Sequence, residues 1–295
     1  MDVMELLTST LIQGLIYALI SYGVYITYSI LDFPDLGVDG TFPLGAAVTA
    51  VLMTKGVNAW LTLPISLAVG GLAGLFTGLV HVKLKVRNLL AGIITMTALY
   101  SINLMVMDNK ANLPLAQGES IYHNLPGMLL SGLAAAGVAA VLVLFLQTPA
   151  GLAVRATGDN EAMVRSSSIN ADRMKMVGLS IANACVALSG ALIAHYNCYA
   201  EVRMGIGMVV IGLASLIVGE IAVGLLVRRA NILSGAVAAI VGSVLYRLII
   251  AQALEWNFSS SSLKLITAII VAMAMSVPAV KESLRLAKQR RAGMR

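Results

Sequence analysis

The residues of this chain that could do chemistry stand beside or inside long apolar runs. Three aspartates lie within eight positions, at Asp32, Asp35 and Asp39, while Glu220 and Arg247 each interrupt an apolar run. Charged side chains in apolar surroundings bind ions, relay protons or hydrogen-bond to polar backbone. These residues therefore indicate ion handling or structural hydrogen bonding, and the three aspartates also fit an ordinary polar turn.

Other residue types give no catalytic or metal-binding pattern. The chain has no G-x-x-x-x-G-K-[ST] phosphate loop, no H-E-x-x-H pair and no G-x-S-x-G turn, and its three histidines are dispersed. Cys185 and Cys198 stand in one apolar segment, at a spacing that suits small apolar fillers better than zinc or a disulfide framework. We expect no catalytic residue, no metal and no cofactor in this chain.

The composition points to a membrane protein. Of the 295 residues, 59% are hydrophobic and 12% are charged, whereas a soluble domain has about 45–50% and about 25%. So few charged residues cannot cover a soluble surface, which excludes a soluble enzyme and a disordered chain. The net charge of +6 comes from basic residues set between apolar runs, which is typical of membrane proteins and not of a nucleic-acid-binding face.

Nine hydrophobic segments follow one another along the chain, and about 20 apolar residues in a helix cross a bilayer. Gly40–Thr54 is too short to cross unless it is tilted or lies at a break. The nine segments are Leu6–Leu31, Gly40–Thr54, Gly56–Val82, Asn88–Met107, Met128–Gln147, Met176–Ala200, Gly205–Val227, Ile232–Ala251 and Leu263–Val280. We therefore predict an all-α polytopic membrane protein, with one transmembrane domain at 1–280 and a basic tail at 281–295.

Lysine and arginine are concentrated in alternate gaps between the segments. Fifteen of the 20 lie in one set of gaps, including the C-terminal tail, and at most five lie on the opposite side. Basic residues accumulate in cytoplasmic loops. We therefore expect the C-terminus in the cytoplasm, and counting back through nine segments places the acidic N-terminus outside.

Polar joins interrupt the segments at two corresponding places, near 31–40 and near 199–207. Irregular backbone at membrane depth is tolerated where it is buried in protein or lines a cavity, and a polar turn outside the membrane is the alternative for the first join. Four segments at about 6–107 and four at about 176–280 flank the central one. The two blocks would then have opposite orientation, as in the inverted repeats of transporters.

The longest polar segment on the basic side is Thr148–Lys175. Its middle predicts a short helix that begins after Asp159 or Asn160 and ends near Asn170. The residues that would share one face of this helix are Ala162, Met163 and Ser166 or Ser167. Such a helix is either a solvated loop element or a short helix that docks into the groove of a partner.

Several stretches carry a more specific signal. Gly151–Ala162 (GLAVRATGDNEA) is followed by Ser168–Asn170 and then by Ala182–Ala194 (ANACVALSGALIA), and Asp35–Ala46 forms the first join. These stretches resemble the coupling-helix region, the next helix and the first break of ATP-binding-cassette importer permeases, in the superfamily for branched-chain amino-acid, ribose and nucleoside uptake. Gly212–Gly224 (GLASLIVGEIAVG) is similar to permeases paired with tryptophan- or tyrosine-type lipoprotein binding proteins.

The resemblance implies the permease subunit of an importer for a small polar solute, with an amino-acid-like solute favoured. It implies a second permease copy, preferably identical, two cytosolic ATPase subunits that hold the ATP and magnesium, and an extracytoplasmic binding lipoprotein, in a bacterial inner membrane. The chain would contact the lipid bilayer and no nucleic acid, and would bind no cofactor itself. The implied ATPase-coupling residues are Asn160, Glu161, Ala162, Met163, Arg165, Ser166, Ile169 and Asn170. The pathway candidates are Phe42, Pro43, Met204 and Met208, for which ordinary helix packing is the alternative.

Other functions stay open at this point. A sugar or nucleoside importer permease shares the same pattern, and a stand-alone ion-coupled transporter would use Glu220 and the aspartates as ion ligands. An intramembrane enzyme or a respiratory subunit would need paired histidines or a nucleophile–base set. Glu220 lies about 12 Å along a helix from the predicted inner boundary. We expect it to bond to a serine or threonine hydroxyl or to broken backbone, because Arg247 differs from it in depth by roughly 12 Å.

Overall fold

The computed structural model describes residues 3–115, 120–123, 125–226 and 231–255, together with the isolated positions 265, 268, 269, 272 and 276. The helices of this described part are α1 (Val3–Val24), α2 (Val38–Thr54), α3 (Ala59–Leu84), α4 (Asn88–Val106), α5 (Gly127–Gln147), α6 (Pro149–Asp159), α7 (Glu161–Ser166), α8 (Ala171–Asn197), α9 (Met208–Leu226) and α10 (Ile232–Glu255). Seven of them are long and apolar enough to cross a membrane, namely α1, α3, α4, α5, α8, α9 and α10, and α2 is a shorter apolar helix. An all-α polytopic membrane fold is thus confirmed.

Eight of the nine predicted segments are helices with ends close to those predicted. The main difference is α8, which begins at Ala171 and not at Met176. Its N-terminus is capped by the side chain of Asn170, which accepts a hydrogen bond from the backbone N–H of Arg173 at 3.0 Å. Hydropathy misses this charged first turn because only the later turns are apolar. The ninth segment, Leu263–Val280, lies almost wholly outside the described residues, as does the tail at 281–295.

Helices α1 and α8 form the centre of the bundle. In each of them 78% of the apolar window is buried, compared with 28% in α4 and in α5. Helix α8 packs against α2 and α3, α1 packs against α5, α9 and α10, and the two central helices contact each other. The first helix of each predicted repeat therefore packs against later helices of the other repeat.

Small residues bring the backbones of these helices close together. A Cβ atom added to Gly190 of α8 would lie 2.0 Å from the carbonyl oxygen of Phe42 in α2. A Cβ atom added to Gly74 of α3 would lie 2.1 Å from the carbonyl oxygen of Leu179 in α8. Close crossings of this kind increase van der Waals contact between helices in lipid, where the hydrophobic effect drives little association.

The first predicted break is present. At its C-terminal end α1 changes into a π-helix, Tyr25–Ile30, in which the N–H of Leu31 bonds to the carbonyl oxygen of Ile26 at 2.9 Å. Asp32 then takes a left-handed conformation with φ 50°, and irregular backbone through Pro34 leads to α2. Since proline has no N–H to donate, it suits the non-helical part of this connection.

The second predicted break is also present and contains a short strand. After α8 the chain forms the strand β2 (Tyr199–Glu201) and a 3₁₀-helix (Val202–Gly205) before α9 begins. β2 pairs antiparallel with the strand β1 (Asn112–Pro114), which follows α4. Gly207 has φ 89°, a left-handed conformation that favours glycine. The pairing holds the second break against the connection between α4 and α5.

Candidate functional site

The first break is anchored to α8 through a buried polar group. Asp35 is 3% exposed, and its carboxylate accepts a hydrogen bond from the side-chain amide of Asn183 at 2.8 Å and one from the backbone N–H of Gly37 at 2.7 Å. The hydroxyl of Thr41 donates to the amide oxygen of Asn183 at 2.8 Å. Buried polar groups are nearly always paired in this way, and the pairing fixes the position where α2 begins.

Asp39 joins the first break to the second. Its carboxylate accepts hydrogen bonds from the backbone N–H groups of Gly207 at 2.9 Å and Val209 at 2.8 Å. These donors lie at the N-terminus of α9, so Asp39 acts as an N-cap supplied by a distant part of the chain. A Cβ atom added to Gly205 would lie 2.0 Å from the carbonyl oxygen of Asp39, which shows how closely the two breaks approach.

A cavity of about 370 Å³ lies beside this junction, and we call it the Asn103 cavity. Its lining residues are Asp39, Gly40, Pro43, Met96, Thr97, Tyr100, Asn103, Val202 and Ile206. Of the four pathway candidates, Pro43 lines this cavity. Phe42 is fully buried and packs edge-on against Tyr17 with ring centroids 6.3 Å apart. Met208 is 8% exposed and Met204 packs against the core, so these three contribute to helix packing.

Glu220 lies near a hydroxyl, one of the kinds of partner expected for it. This hydroxyl belongs to Ser29, in the π-helix directly before the first break, and Glu220 lies exposed on the surface of the single chain. Arg247 is engaged elsewhere. Its guanidinium donates to the side-chain oxygen of Gln13 and stands 4.5 Å from the centre of the Tyr17 ring, a favourable cation–π arrangement.

The segment between α5 and α8 contains two helices where one was expected. Helix α6 begins at Pro149, a favourable first helical residue, with Thr148 as its N-cap. Helix α7 follows, and the side chain of its N-cap Asn160 accepts a hydrogen bond from the N–H of Met163 at 3.0 Å. The expectation that this helix extends to Asn170 is wrong, because α7 ends at Ser166 and the chain turns at Ser168, where φ is 62°.

Ion pairs within the chain hold α7 in place. The carboxylate of Glu161 bonds to Lys175 at 2.8 Å and to Arg165 at 2.7 Å, and Arg165 also reaches Asp172 at 2.5 Å. The hydrogen bond from Lys175 is the largest cause that lowers the pKa of Glu161, and Arg165 adds to it. The carboxylates of Glu161 and Asp172 raise the pKa of Arg165.

The free face of α7 is small and mostly apolar. Met163 is 68% exposed, Ala162 and Ser166 are exposed beside it, and Val164 is buried against the chain. Ile169 and Asn170 are exposed after the helix, and Asn170 caps α8. Since Glu161 and Arg165 are engaged inside the chain, Met163 is the residue of α7 best placed to contact another protein.

The first break and α7 face the same end of the bundle. A cavity of about 800 Å³ is lined by Pro34 from the break, by Lys85 and Arg87 from the turn between α3 and α4, and by Glu161 and Lys175. Basic residues from two of the predicted cytoplasmic gaps therefore meet at this end.

Two polar side chains at the junction, Asn103 and Asn183, were not predicted as site residues. Each is fully buried and lies inside an apolar run. A lone amide in such a run needs a hydrogen-bond partner, and this need was the one signal that could have identified them. Among the described residues no group of three or more His, Cys, Asp or Glu side chains could hold a metal ion.

Comparison with known proteins defines the family. A family profile described as "Branched-chain amino acid transport system / permease component" matches residues 6–275. The chain belongs to this family. It is 39% identical over 264 residues to the tyrosine transport system permease protein of Clostridioides difficile, covering 89% of this chain and 88% of the relative.

Two further relatives extend the comparison. The ribose import permease protein of Haemophilus influenzae is 25% identical, over 70% of this chain and 66% of its own. An uncharacterized protein of Rickettsia prowazekii is 30% identical, over 92% and 98%. No solved structure matches the chain. The chain is therefore a membrane permease of an ATP-binding-cassette importer, a class that works with ATPase and binding-protein subunits.

Proposed function

We propose that this chain forms, with a second copy of itself, the translocation pathway of an importer for an amino-acid-like solute. A binding protein would deliver the solute outside, and two cytosolic ATPases would drive the cycle. One observation carries the proposal most directly. It is the contact between the two breaks, in which Asp39 caps α9. Broken helices that meet inside a membrane are the usual sites of solute passage in transporters.

The relatives favour an amino acid over a sugar. The tyrosine permease shares 39% identity with this chain, compared with 25% for the ribose permease. We therefore choose L-tyrosine as the first solute to test.

The exposed face of α9 supports a homodimer. Val210, Glu220 and Gly224 are exposed on this face, and Leu213 and Ile217 between them are half-buried, all at helical spacing. A carboxylate that faces lipid is costly, so Glu220 favours a covered position. A second copy of the chain would cover this face and complete the pathway.

The geometry of α7 supports its role as the coupling helix. Its ion pairs hold it rigidly against α8, and the exposed side chain of Met163 suits an apolar groove on an ATPase. The end of the bundle that carries α7 would then be cytoplasmic. This agrees with the basic residues gathered there and with a C-terminus inside and an N-terminus outside.

The test is reconstitution of the permease with its ATPase and binding protein in liposomes. We expect ATP-dependent uptake of labelled L-tyrosine, and we expect Met163→Glu to abolish solute-stimulated ATP hydrolysis because a charge cannot enter an apolar groove. Met163→Leu is the matched control, since it keeps the apolar volume, and it should behave like the wild type. Arg165 is a poorer position for such a test because its replacement breaks ion pairs inside the chain.

Two results would contradict this proposal. Uptake of L-tyrosine without ATP, driven by an ion gradient, would make the chain a stand-alone transporter. Normal coupling in Met163→Glu would place the ATPase contact elsewhere.

A further inference from the structure

The Asn103 cavity lies near the middle of the membrane. Gly40, at its wall, packs against Met96 and Leu99 of α4. The residues of α4 that line the cavity, from Met96 to Asn103, stand 8 to 15 positions after Asn88, the first residue of α4, which corresponds to about 12–22 Å at 1.5 Å per residue. The hydrocarbon core is about 30 Å thick. The cavity therefore lies at a depth within the hydrocarbon core.

One wall of the cavity carries an acceptor without a donor. Asn103 is fully buried, and its amide nitrogen donates to the carbonyl oxygen of Gly40 at 3.1 Å. This bond fixes the orientation of the amide, so the other atom is the oxygen Oδ1. In the described part of the chain, this Oδ1 has no hydrogen-bond partner. A buried acceptor left unpaired is unfavourable, and a ligand that donates an N–H would remove that cost.

The same wall carries a negative charge without a cation. Asp39 lines the cavity, and its carboxylate accepts hydrogen bonds from backbone N–H groups at the start of α9. The ion pairs found among the described residues all surround α7, so none of them neutralises Asp39. A positively charged donor is therefore favoured over a neutral one at this wall.

The rest of the lining is mostly apolar. The cavity opens to the surface of the single chain. Pro43, Met96 and Val202 contribute apolar surface, and Tyr100 is 46% exposed. Ile206, at the rim, is 62% exposed and stands just before α9. Its volume of about 370 Å³ is at the small end of ligand pockets, which run from about 300 to 1,000 Å³.

We propose that the Asn103 cavity is a solute site inside the permease. It binds the ammonium group of an amino acid at Asn103 and Asp39, and it holds an apolar or aromatic side chain against Met96, Tyr100 and Ile206. This inference rests on the proposed function, because the amino acid that the cavity would bind is the transported solute. A sugar lacks the ammonium group, so the site also selects between the two solute classes.

The first experiment fills the cavity. Thr97 lines it from α4 and is exposed, so Thr97→Trp places a large side chain in the opening without disturbing the buried core. We expect uptake of L-tyrosine by the reconstituted importer to fall at least about tenfold, since a filled cavity leaves no room for the solute. The control is Ile102→Trp, on the same helix at an exposed position that does not line the cavity, and it should stay within about twofold of the wild type. Co-purification with the ATPase verifies the assembly of both variants.

The second experiment detects the solute in the cavity without measuring transport. Thr97→Cys and Ile102→Cys are made in a background with Cys198→Ser and Cys185→Ala, so that each protein has one cysteine. We expect a water-soluble maleimide to label Thr97→Cys in the permease–ATPase complex, and we expect L-tyrosine to slow this labelling. The desamino analogue 3-(4-hydroxyphenyl)propionate should give no protection, because it lacks the ammonium group. Labelling of Ile102→Cys should not depend on either compound.

The outcomes separate this inference from the proposed function. If the wild-type importer shows no ATP-driven uptake of L-tyrosine, the proposed function fails. If it transports L-tyrosine and Thr97→Trp transports equally well, the cavity is not a solute site although the function stands. Equal protection by the desamino analogue would overturn the role of the ammonium group. Absence of maleimide labelling at Thr97→Cys in every nucleotide state would show that lipid or the second copy fills the cavity instead.

Discussion

The carboxylate of Asp39 accepts a hydrogen bond from the backbone N–H of Val209 at 2.8 Å, across 170 residues of sequence. It satisfies a free N–H at the start of α9, and it ties that start to the beginning of α2. Since each helix lies just beyond a break in the chain, movement of either one changes the position of the other. The two breaks are thus tied to each other through one side chain.

Replacement of Asp39 should show how much this cap contributes. Asp39→Asn keeps one acceptor oxygen and should be mildly destabilising, whereas Asp39→Leu leaves both N–H groups unpaired and should cost about 1–3 kcal/mol. The measurement is the thermal midpoint of the purified permease–ATPase complex in detergent. A Leu variant as stable as the Asn variant would contradict the capping role.

The anchor of the first break should depend on Asn183 more than on Thr41. Asn183→Leu removes the amide that donates to the buried carboxylate of Asp35, and it should cost about 2–3 kcal/mol because the acceptor is charged. Thr41→Val is the control. It removes only the hydroxyl that donates to Asn183, and it should cost about 1 kcal/mol. Equal losses of stability in urea unfolding of the two variants would show that Asp35 does not depend on Asn183.

The attachment of α7 should weaken in acid. The pKa of Glu161 is lowered in the folded chain, first by the hydrogen bond from Lys175 and also by Arg165. A lowered pKa means that the ion pairs stabilise the fold at pH values above the ordinary pKa of glutamate. This stabilisation is lost as the pH falls through the lowered pKa.

A spin label on α7 reports this change. We expect a label at Ser167→Cys, the residue that follows α7, to become more mobile below the ordinary glutamate pKa of about 4.3, in the background with Cys198→Ser and Cys185→Ala. Lys175→Met should move this transition to higher pH, because it removes the largest cause of the lowered pKa. An unchanged transition in Lys175→Met would show that Glu161 does not hold α7.

Glu220 should act together with the nearby hydroxyl of Ser29. Glu220→Gln keeps a neutral partner for the hydroxyl, so the variant should assemble and retain substantial uptake. Glu220→Leu should reduce the dimer fraction, because it removes the polar group beside Ser29 from the face that we assign to the second copy. The dimer fraction is measured by light scattering on purified complexes, and uptake is measured on liposomes.

A double-mutant cycle with Ser29→Ala tests the pair itself. If the two side chains act on each other, the loss in the double variant should be smaller than the sum of the losses in the two single variants. A Gln variant that forms dimers but does not transport would instead show that the charge of Glu220 works in the cycle.

The sequence by itself determined the class of protein, the helices and the places where they break. Hydropathy depends on short stretches of neighbouring residues, so Asn88–Met107 predicted α4 (Asn88–Val106) almost to the residue. Caps are equally local, and Asn160 begins α7 as expected. The resemblance at Gly151–Ala162 pointed to the family that the wider comparison shows. Each of these signals lies within about a dozen residues of the feature that it predicts.

Only the tertiary structure decided which polar groups meet. Asp39 bonds to the N–H of Val209, and Asp35 accepts a hydrogen bond from Asn183. Glu220 lies near Ser29. More than a hundred residues of sequence separate the members of each pair. The sequence shows that a buried carboxylate or amide needs a partner, but many hydroxyls and free N–H groups could serve. The choice depends on how α1 and α8 pack with the other helices, and packing is set by shape over the whole bundle. For the same reason the free oxygen of Asn103 and the cavity around it became visible only in the folded chain.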